Sequence, residues 1–172
     1  MLFAFAGADT AYGGPGGDTI YGDFGADRLD GGTGSCGNDT INGVSSEKAL
    51  YGKAGADFLF AHGGDDTVTG GAGNDTLFGG YGADRLTGGA DADTFVSEAG
   101  SGRDMIDDFE AGRDRLVFSS LLTDGRTDEA AVLADCATTF SGAVLFDFGE
   151  GNALWLTGVS STYGLGSDML IV

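Results

Sequence analysis

The chain has little of what most metal-assisted and nucleophilic chemistry needs. It carries one histidine, His62, so no two-histidine zinc motif can form and a metalloprotease centre is excluded. No Gly-x-Ser-x-Gly elbow occurs, and the nearest approach to a phosphate loop, Gly52-Lys53, continues with alanine instead of serine or threonine. Two cysteines, Cys36 and Cys136, could pair with each other but make no disulfide framework. Positive charge is scarce: 8 Lys and Arg stand against 27 Asp and Glu, for a net charge of −19. Such a balance argues against nucleic acid or an anionic membrane as partner and suits a chain that takes up divalent cations. No apolar run approaches the length of a membrane span. Met1 to Ala6 is too short, and lacks the basic start, for a cleaved secretory signal, so no N-terminal export route is expected.

What the chain does have is glycine, 34 residues of 172, together with 41% apolar content, which rules against a disordered acidic tail. The glycine is periodic, so it marks a solenoid and not a flexible linker. The clearest block is Gly70-Gly71-Ala72-Gly73-Asn74-Asp75-Thr76-Leu77-Phe78, of the form Gly-Gly-x-Gly-x-Asp-x-apolar-x. Glycines at positions one, two and four permit positive φ and close backbone approach, so six residues form a tight turn with inward carbonyls. Three residues then extend as a strand, of which only position eight faces a core. The position-six aspartate adds an anionic oxygen to those carbonyls, and an all-oxygen cage of that kind suits calcium. One turn cannot complete the coordination shell, so stacking and metal binding become a single event.

In chain order, Met1-Leu2-Phe3 reads as the end of a repeat without its turn, as though the chain were cut from a longer array or translated from inside one. Repeats follow at 4–12, 13–21 and 22–30; Gly31-Gly32-Thr33 are extra; and 34–42, 43–51, 52–60, 61–69, 70–78, 79–87 and 88–96 complete a set of ten. Position eight is Ala11, Ile20, Leu29, Ile41, Leu50, Leu59, Val68, Leu77, Leu86 or Phe95, apolar every time. The repeat at 43–51 departs from the pattern, with Ser46 for the fourth-position glycine and Lys48 for the aspartate. Acidic pairs such as Asp65-Asp66 imitate a glycosidase dyad but fall within the repeat register. His62, at the second position of a turn, is expected to face solvent.

With this nonapeptide the chain resembles the RTX family of calcium-dependent β-roll proteins. The resemblance implies an all-β fold: a parallel β-roll over residues 1–96, then a β-rich C-terminal cap with one short helix over residues 97–172. In such a roll two repeats make one coil, so each turn stacks on the turn two repeats away. One edge then carries Asp18, Asp39, Asp57, Asp75 and Asp93, and the other Asp9, Asp27, Lys48, Asp66 and Asp84. These nine aspartates are the expected metal ligands, with the backbone carbonyls of Gly52, Ala54, Ala56, Gly70, Ala72, Asn74, Gly88 and Ala90. Pairing of intact turns predicts about six calcium ions in the roll. Lys48 either places its ammonium where an ion would sit, neutralising Asp27 and Asp66, or is a solvated lysine on a loosened turn. Phe3, Tyr21, Phe58, Phe60, Phe78 and Val96 fall on one outer face, which residues 97–172 are expected to cover.

From Ser97 the glycine period stops. Asp104 to Phe118 follows the DxIxDFxxGxDxLxF pattern found after the roll in RTX C-terminal domains such as those of serralysin-type proteases, and Asp108 with Asp114 would bind a further ion there or form a solvated acidic turn. Ile106/Asp108 and Leu116/Phe118 alternate as two strands about a turn at Ala111-Gly112. Thr127 precedes a helical stretch at 128–135, and 143–148 with 153–157 read as a hairpin around Gly149-Glu150-Gly151-Asn152, closing the open end of the roll. The final Asp168-Met169-Leu170-Ile171-Val172 resembles an uncleaved type I secretion signal and also reads as a plain last strand. The resemblance therefore implies a secreted, non-catalytic calcium-binding module, the folding and secretion domain of an exported bacterial protein, with the type I secretion machinery as partner. Two other readings stand beside it: a module binding acidic polysaccharide, as in mannuronan epimerases, through outward aromatics or Arg28 and Arg85; and an adhesin or surface-layer segment.

Overall fold

Residues 1–32 and 37–172 are described by a computed structural model. In chain order the strands are β1 (Leu2–Phe3), β2 (Thr10–Tyr12), β3 (Thr19–Tyr21), β4 (Arg28–Asp30), β5 (Thr40–Asn42), β6 (Ala49–Ala54), β7 (Phe58–Phe60), β8 (Thr67–Ala72), β9 (Thr76–Phe78), β10 (Arg85–Ala90), β11 (Thr94–Ser97), β12 (Arg103–Ile106), β13 (Arg115–Phe118), β14 (Ala137–Phe140), β15 (Ala143–Gly149), β16 (Asn152–Thr157) and β17 (Met169–Ile171), with one α-helix, α1 (Glu129–Cys136), among the described residues. Most repeats supply a strand at positions seven to nine, and the threonine common at position seven favours extended backbone.

The strands alternate between two parallel sheets. Odd strands β1 to β13 line up in one, with β17 at its end; even strands β2 to β12 line up in the other, followed by β16, β15 and β14. The position-eight side chains meet between the sheets in two rows. One runs Ile20, Ile41, Leu59, Leu77, Phe95 and the other Ala11, Leu29, Leu50, Val68, Leu86, each residue opposite its successor in the next strand. Ala11 is 8% exposed and the rest 2% or less. Full burial of one such side chain is worth about 1.5–3 kcal/mol, so this narrow core is where the turns gain their alignment.

Successive coils are offset by 18 residues where the repeat is regular. The three extra residues leave the strand register intact, since Ile20 still pairs Ile41. The sheets also run on beyond residue 96. Residues of β12 and β13 stack on β10 and β11 at offsets of 20 and 21, placing Ile106 against Leu86 and Leu116 against Phe95. The two strands expected around Ala111-Gly112 therefore lie in opposite sheets and make one more coil. β16 and β17 extend the rows again with Leu156 and Met169.

The cap has the expected elements and closes the open end of the roll as expected, but it does not cover the aromatic face. β15 and β16 form an antiparallel hairpin, and α1 is capped by Asp128, whose side chain accepts the Ala130 amide, not by Thr127. Val132 and Cys136 are its buried residues. Phe118, Phe146 and Phe148 form an aromatic cluster, with Phe118 centroids 5.5 Å and 5.1 Å from the other two. Residues 97–172 stack along the roll axis and do not cover the aromatic face: Phe3 remains 49% and Phe58 42% exposed, and the rings pack on one another, Phe3 on Tyr21 and Phe60 on Phe78. Stacking satisfies the open backbone of the last coil, which folding back over the side would not. A Cys36–Cys136 pairing lies outside the described residues.

Candidate metal centre

The position-six aspartates form two ladders, one along each edge. In each, an aspartate amide donates to Oδ1 of its counterpart in the next coil. One edge runs Asp18 to Asp39 (2.7 Å), Asp39 to Asp57 (2.7 Å), Asp57 to Asp75 (2.8 Å), Asp75 to Asp93 (2.9 Å) and Asp93 to Asp114 (3.1 Å). The other has Asp9 to Asp27 (3.0 Å), then Asp66 to Asp84 (2.8 Å) and Asp84 to Asp104 (3.1 Å). Because Oδ1 is held by the neighbouring coil, Oδ2 is aimed into its own turn.

There it has no donor. The Oδ2 atoms of Asp9, Asp57, Asp66, Asp75, Asp84 and Asp93 are buried without a hydrogen-bond partner. Each orphan costs about 1–3 kcal/mol, more for a charged oxygen, so a row of them calls for a cation. A position-one glycine keeps space beside Asp57, Asp75, Asp84 and Asp93, whereas Ala4 and Ala61 hold that position beside Asp9 and Asp66. A Cβ on Gly70 would lie 2.3 Å from Asp75 Oδ2 and 2.7 Å from the Gly88 carbonyl oxygen; on Gly52 the distances are 2.4 Å to Asp57 Oδ2 and 2.7 Å to the Gly70 oxygen. The seam between stacked turns is thus a gap bordered by a carboxylate oxygen below and a backbone oxygen above. Position four needs glycine for another reason: Gly73 has φ +116° and its absent Cβ would stand 2.0 Å from the Gly55 oxygen.

Among the described residues no group of three or more His, Cys, Asp or Glu side chains is arranged to hold a metal ion by side chains alone. Each seam offers carboxylate and carbonyl oxygen and neither nitrogen nor sulfur, a donor set that fits calcium, which takes six to eight oxygens, and not zinc. Without a cation the carboxylates are hard to ionise. Burial pushes Asp66 and Asp75 up to about 7, Asp84 and Asp93 to about 6 and Asp104 to about 8, against amide hydrogen bonds that pull the other way. Burial also raises Asp39, Asp57 and Asp114.

The structure brings the nine expected aspartates to these seams and adds Asp104, which the sequence reading missed. Asp104 sits 20 residues after Asp84, out of the nine-residue phase, and only the coil register reveals it. Asp114 continues the other edge, its Oδ2 accepting the Glu110 amide. Asp108 instead accepts the Gly88 and Gly89 amides with its two oxygens, at 2.9 and 2.8 Å, so it caps a turn. Beside Asp39 the glycine in this place is Gly31, whose absent Cβ would lie 2.1 Å from Asp39 Oδ2; Gly34, the position-one residue in the repeat count, lies outside the described residues. Of the expected carbonyls, those of Gly52, Gly70 and Gly88 border seams. Ala72 and Ala90 oxygens accept the Gly55 and Gly73 amides and keep a second lone pair. Ala54, Ala56 and Asn74 lie in the same turns, and the Asn74 side chain accepts the Ala92 amide.

Lys48 is buried, not solvated. Its ammonium is 3.2 Å from Asp27 Oδ2, a contact that is ionic without the alignment of a hydrogen bond. Asp66 reaches Lys48 only through the backbone, accepting its amide at 2.6 Å, so the expected bridge to both acids is corrected to Asp27 alone. His62 is half-buried and not solvent-facing: Nε2 lies 2.9 Å from Asn42 Oδ1, the ring packs edge-on against Phe60, and burial, then the Lys48 charge, lowers its pKa. Arg28 and Arg85 share a sheet with Ala49 and Thr67 between them, and each already faces an acid, Asp30 and Asp107.

A family model described as the RTX calcium-binding nonapeptide repeat (4 copies) matches residues 3–35, 49–77 and 69–106. Among solved structures the chain is similar to the extracellular lipase LipA from Serratia marcescens, with a TM-score of 0.64 and 19% identity over 96% of this chain and 38% of the lipase chain. The chain thus spans well under half of the lipase's length. It is also similar to the AlgE6R3 subunit of the Azotobacter vinelandii mannuronan C5-epimerase, at 19% identity over 96% of this chain and 78% of that one, with a TM-score of 0.34, too low to bear on the fold. No curated protein matches the chain by sequence.

Proposed function

The chain belongs to the RTX calcium-binding nonapeptide-repeat family, and from that premise we propose that it is a calcium-triggered folding and secretion module of an exported bacterial protein. Its repeats are of a kind found in exported bacterial proteins. The observation that carries the reading is the row of buried, donorless Oδ2 atoms, which at Asp57, Asp75, Asp84 and Asp93 face gaps that a position-one glycine keeps open.

The ligands would be Oδ2 of Asp9, Asp18, Asp39, Asp57, Asp66, Asp75, Asp84 and Asp93, with carbonyls of the stacked turns, including those of Gly52, Ala54, Ala56, Gly70, Ala72, Asn74, Gly88 and Ala90. One ion for each aspartate pair in the ladders gives eight, six within the roll and two where Asp84 meets Asp104 and Asp93 meets Asp114. Calcium supplies the positive charge that these carboxylates lack, at affinities of about 10⁻⁴ to 10⁻³ M for sites of extracellular type.

In the low calcium of a cytosol the acidic turns repel and the chain stays expanded, fit for an export channel. The tail supports this order of events. In the folded chain Met169–Ile171 is strand β17 on β13, and Asp168 Oδ2 accepts the Gly112 amide at 2.9 Å, so the tail is available as a type I signal only while the chain is unfolded. Far-UV circular dichroism and Stokes radius, measured with millimolar calcium and with excess chelator, test the proposal. Calcium should convert an expanded coil into a compact sheet; native sheet content in chelator would overturn it.

A further inference from the structure

We propose that Lys48 is a built-in cation: its ammonium fills the seam between the Gly22–Asp27 and Gly43–Lys48 turns, in the place that an ion takes between the other stacked pairs. The inference rests on the reading of those other seams as calcium sites.

The seam keeps the register of the others, although Ser46 stands for the fourth-position glycine at a φ of +106°. The coils on either side keep register, with Arg28 opposite Ala49 and Ala49 opposite Thr67, and the Lys48 amide still donates to the next aspartate, Asp66. Asp27 aims its Oδ2 as its counterparts do. Here, however, Lys48 Nζ stands 3.2 Å away, and both side chains are fully buried. The ammonium donates to the Gly25 carbonyl at 2.5 Å and reaches the Ser45 carbonyl at 3.5 Å. One carboxylate oxygen and carbonyls from both turns therefore surround it, the donor types that the other seams present.

The lysine stem occupies the rest of the gap. A Cβ on Gly43 would lie 2.9 Å from Lys48 Cδ, and one on Gly22 3.4 Å from Cε, so the space that glycine preserves is taken up by methylenes. A buried ammonium is tolerated only where it is paired and hydrogen-bonded, and this one meets both conditions. Position six of this turn also has no carboxylate to offer the following seam, toward Asp66. One interface of the edge is therefore closed by a tethered charge, and the next lacks its acid. Pairing across the first of these needs no calcium, and it divides the edge into a short N-terminal site at Asp9–Asp27 and a longer run from Asp66 through Asp84 to Asp104.

The test is the number of calcium ions bound per folded chain at saturation, counted by equilibrium dialysis and atomic emission, for the unaltered chain and for Lys48→Asp. The substitution puts a carboxylate at each end of two more seams, so about two additional ions are expected. An unchanged count in a variant that circular dichroism shows to be folded would overturn the inference. Should Lys48→Asp not fold, anomalous scattering from calcium-grown crystals of the unaltered chain decides: density between Asp75 and Asp93 with none between Asp27 and Lys48 supports the tethered charge, and density at both overturns it. An unaltered chain that binds no calcium at all would instead overturn the reading of the turns.

Discussion

At the residue scale the turns of Asp57, Asp75, Asp84 and Asp93 share two features, a carboxylate oxygen with nothing to bond and a glycine that leaves room beside it. Gly70→Ala tests the second without touching a ligand side chain. Its Cβ would fall 2.3 Å from Asp75 Oδ2 and 2.7 Å from the Gly88 oxygen, so the gap is filled by a methyl. Ala61 holds the same position beside Asp66, so the methyl should weaken the site and not abolish it: the variant should bind calcium with a raised midpoint in calcium titration and lose about 1–3 kcal/mol in calcium-loaded denaturation. The carboxylates also give a pH dependence whose sign is determined. Asp66, Asp75, Asp84, Asp93 and Asp104 titrate near 6 to 8 in the metal-free fold, chiefly through burial, against an ordinary value of 3.8. The metal-free fold then binds more protons than the unfolded chain, and its stability falls as pH rises from about 4 to about 8. In excess chelator, sheet content by circular dichroism should be higher near pH 5 than near pH 8; the reverse order would contradict the assignment. The place of the position-six aspartates up to Asp93 in the two ladders was legible in the sequence because nine-residue phase and side-chain alternation together assign every position. Asp104 was not, because its coil is two residues longer than the regular one and no sequence phase carries across that change.

At the element scale the strands are short, and their order comes from the rows of inward side chains. Leu77 sits in the middle of one row, fully buried between Leu59 and Phe95. Leu77→Ala should cost about 2–5 kcal/mol in the calcium-loaded state and raise the calcium midpoint for folding. The last coil depends on the elements that stack on it. Removing residues 160–172 takes away β17 and the Asp168 contact to Gly112, exposing one side of Leu116 and Phe118. Such a chain should need more calcium to reach the same sheet content, and an unchanged midpoint would show that the stack needs no terminator. The hairpin of β15 and β16 and the helix α1 were readable from turn and cap residues. The hairpin's place at the open end was readable too, from the unpaired backbone of the final coil. What was not readable is that residues 97–172 leave the aromatic face uncovered, since burying Phe118, Phe146 and Phe148 is equally served by folding back over the roll or by stacking on its end.

At the scale of the whole molecule, a net charge of −19 and a core one side chain thick leave little to hold the coils together until the turns are neutralised. Lys48 is the exception in the roll, a seam already neutral, and it marks where the second edge is interrupted. The exposed and half-buried rings along one sheet pack in two groups, Phe3 on Tyr21 and Phe78 on Phe58 and Phe60, with Asn42 between them, so the aromatic stripe visible in the sequence is in part its own cover. The measurement that bears most directly on the account is the number of calcium ions bound by the folded, unaltered chain at saturating calcium. About eight are predicted, one for each aspartate pair along the two edges. A folded chain that binds none, or only one, would contradict it.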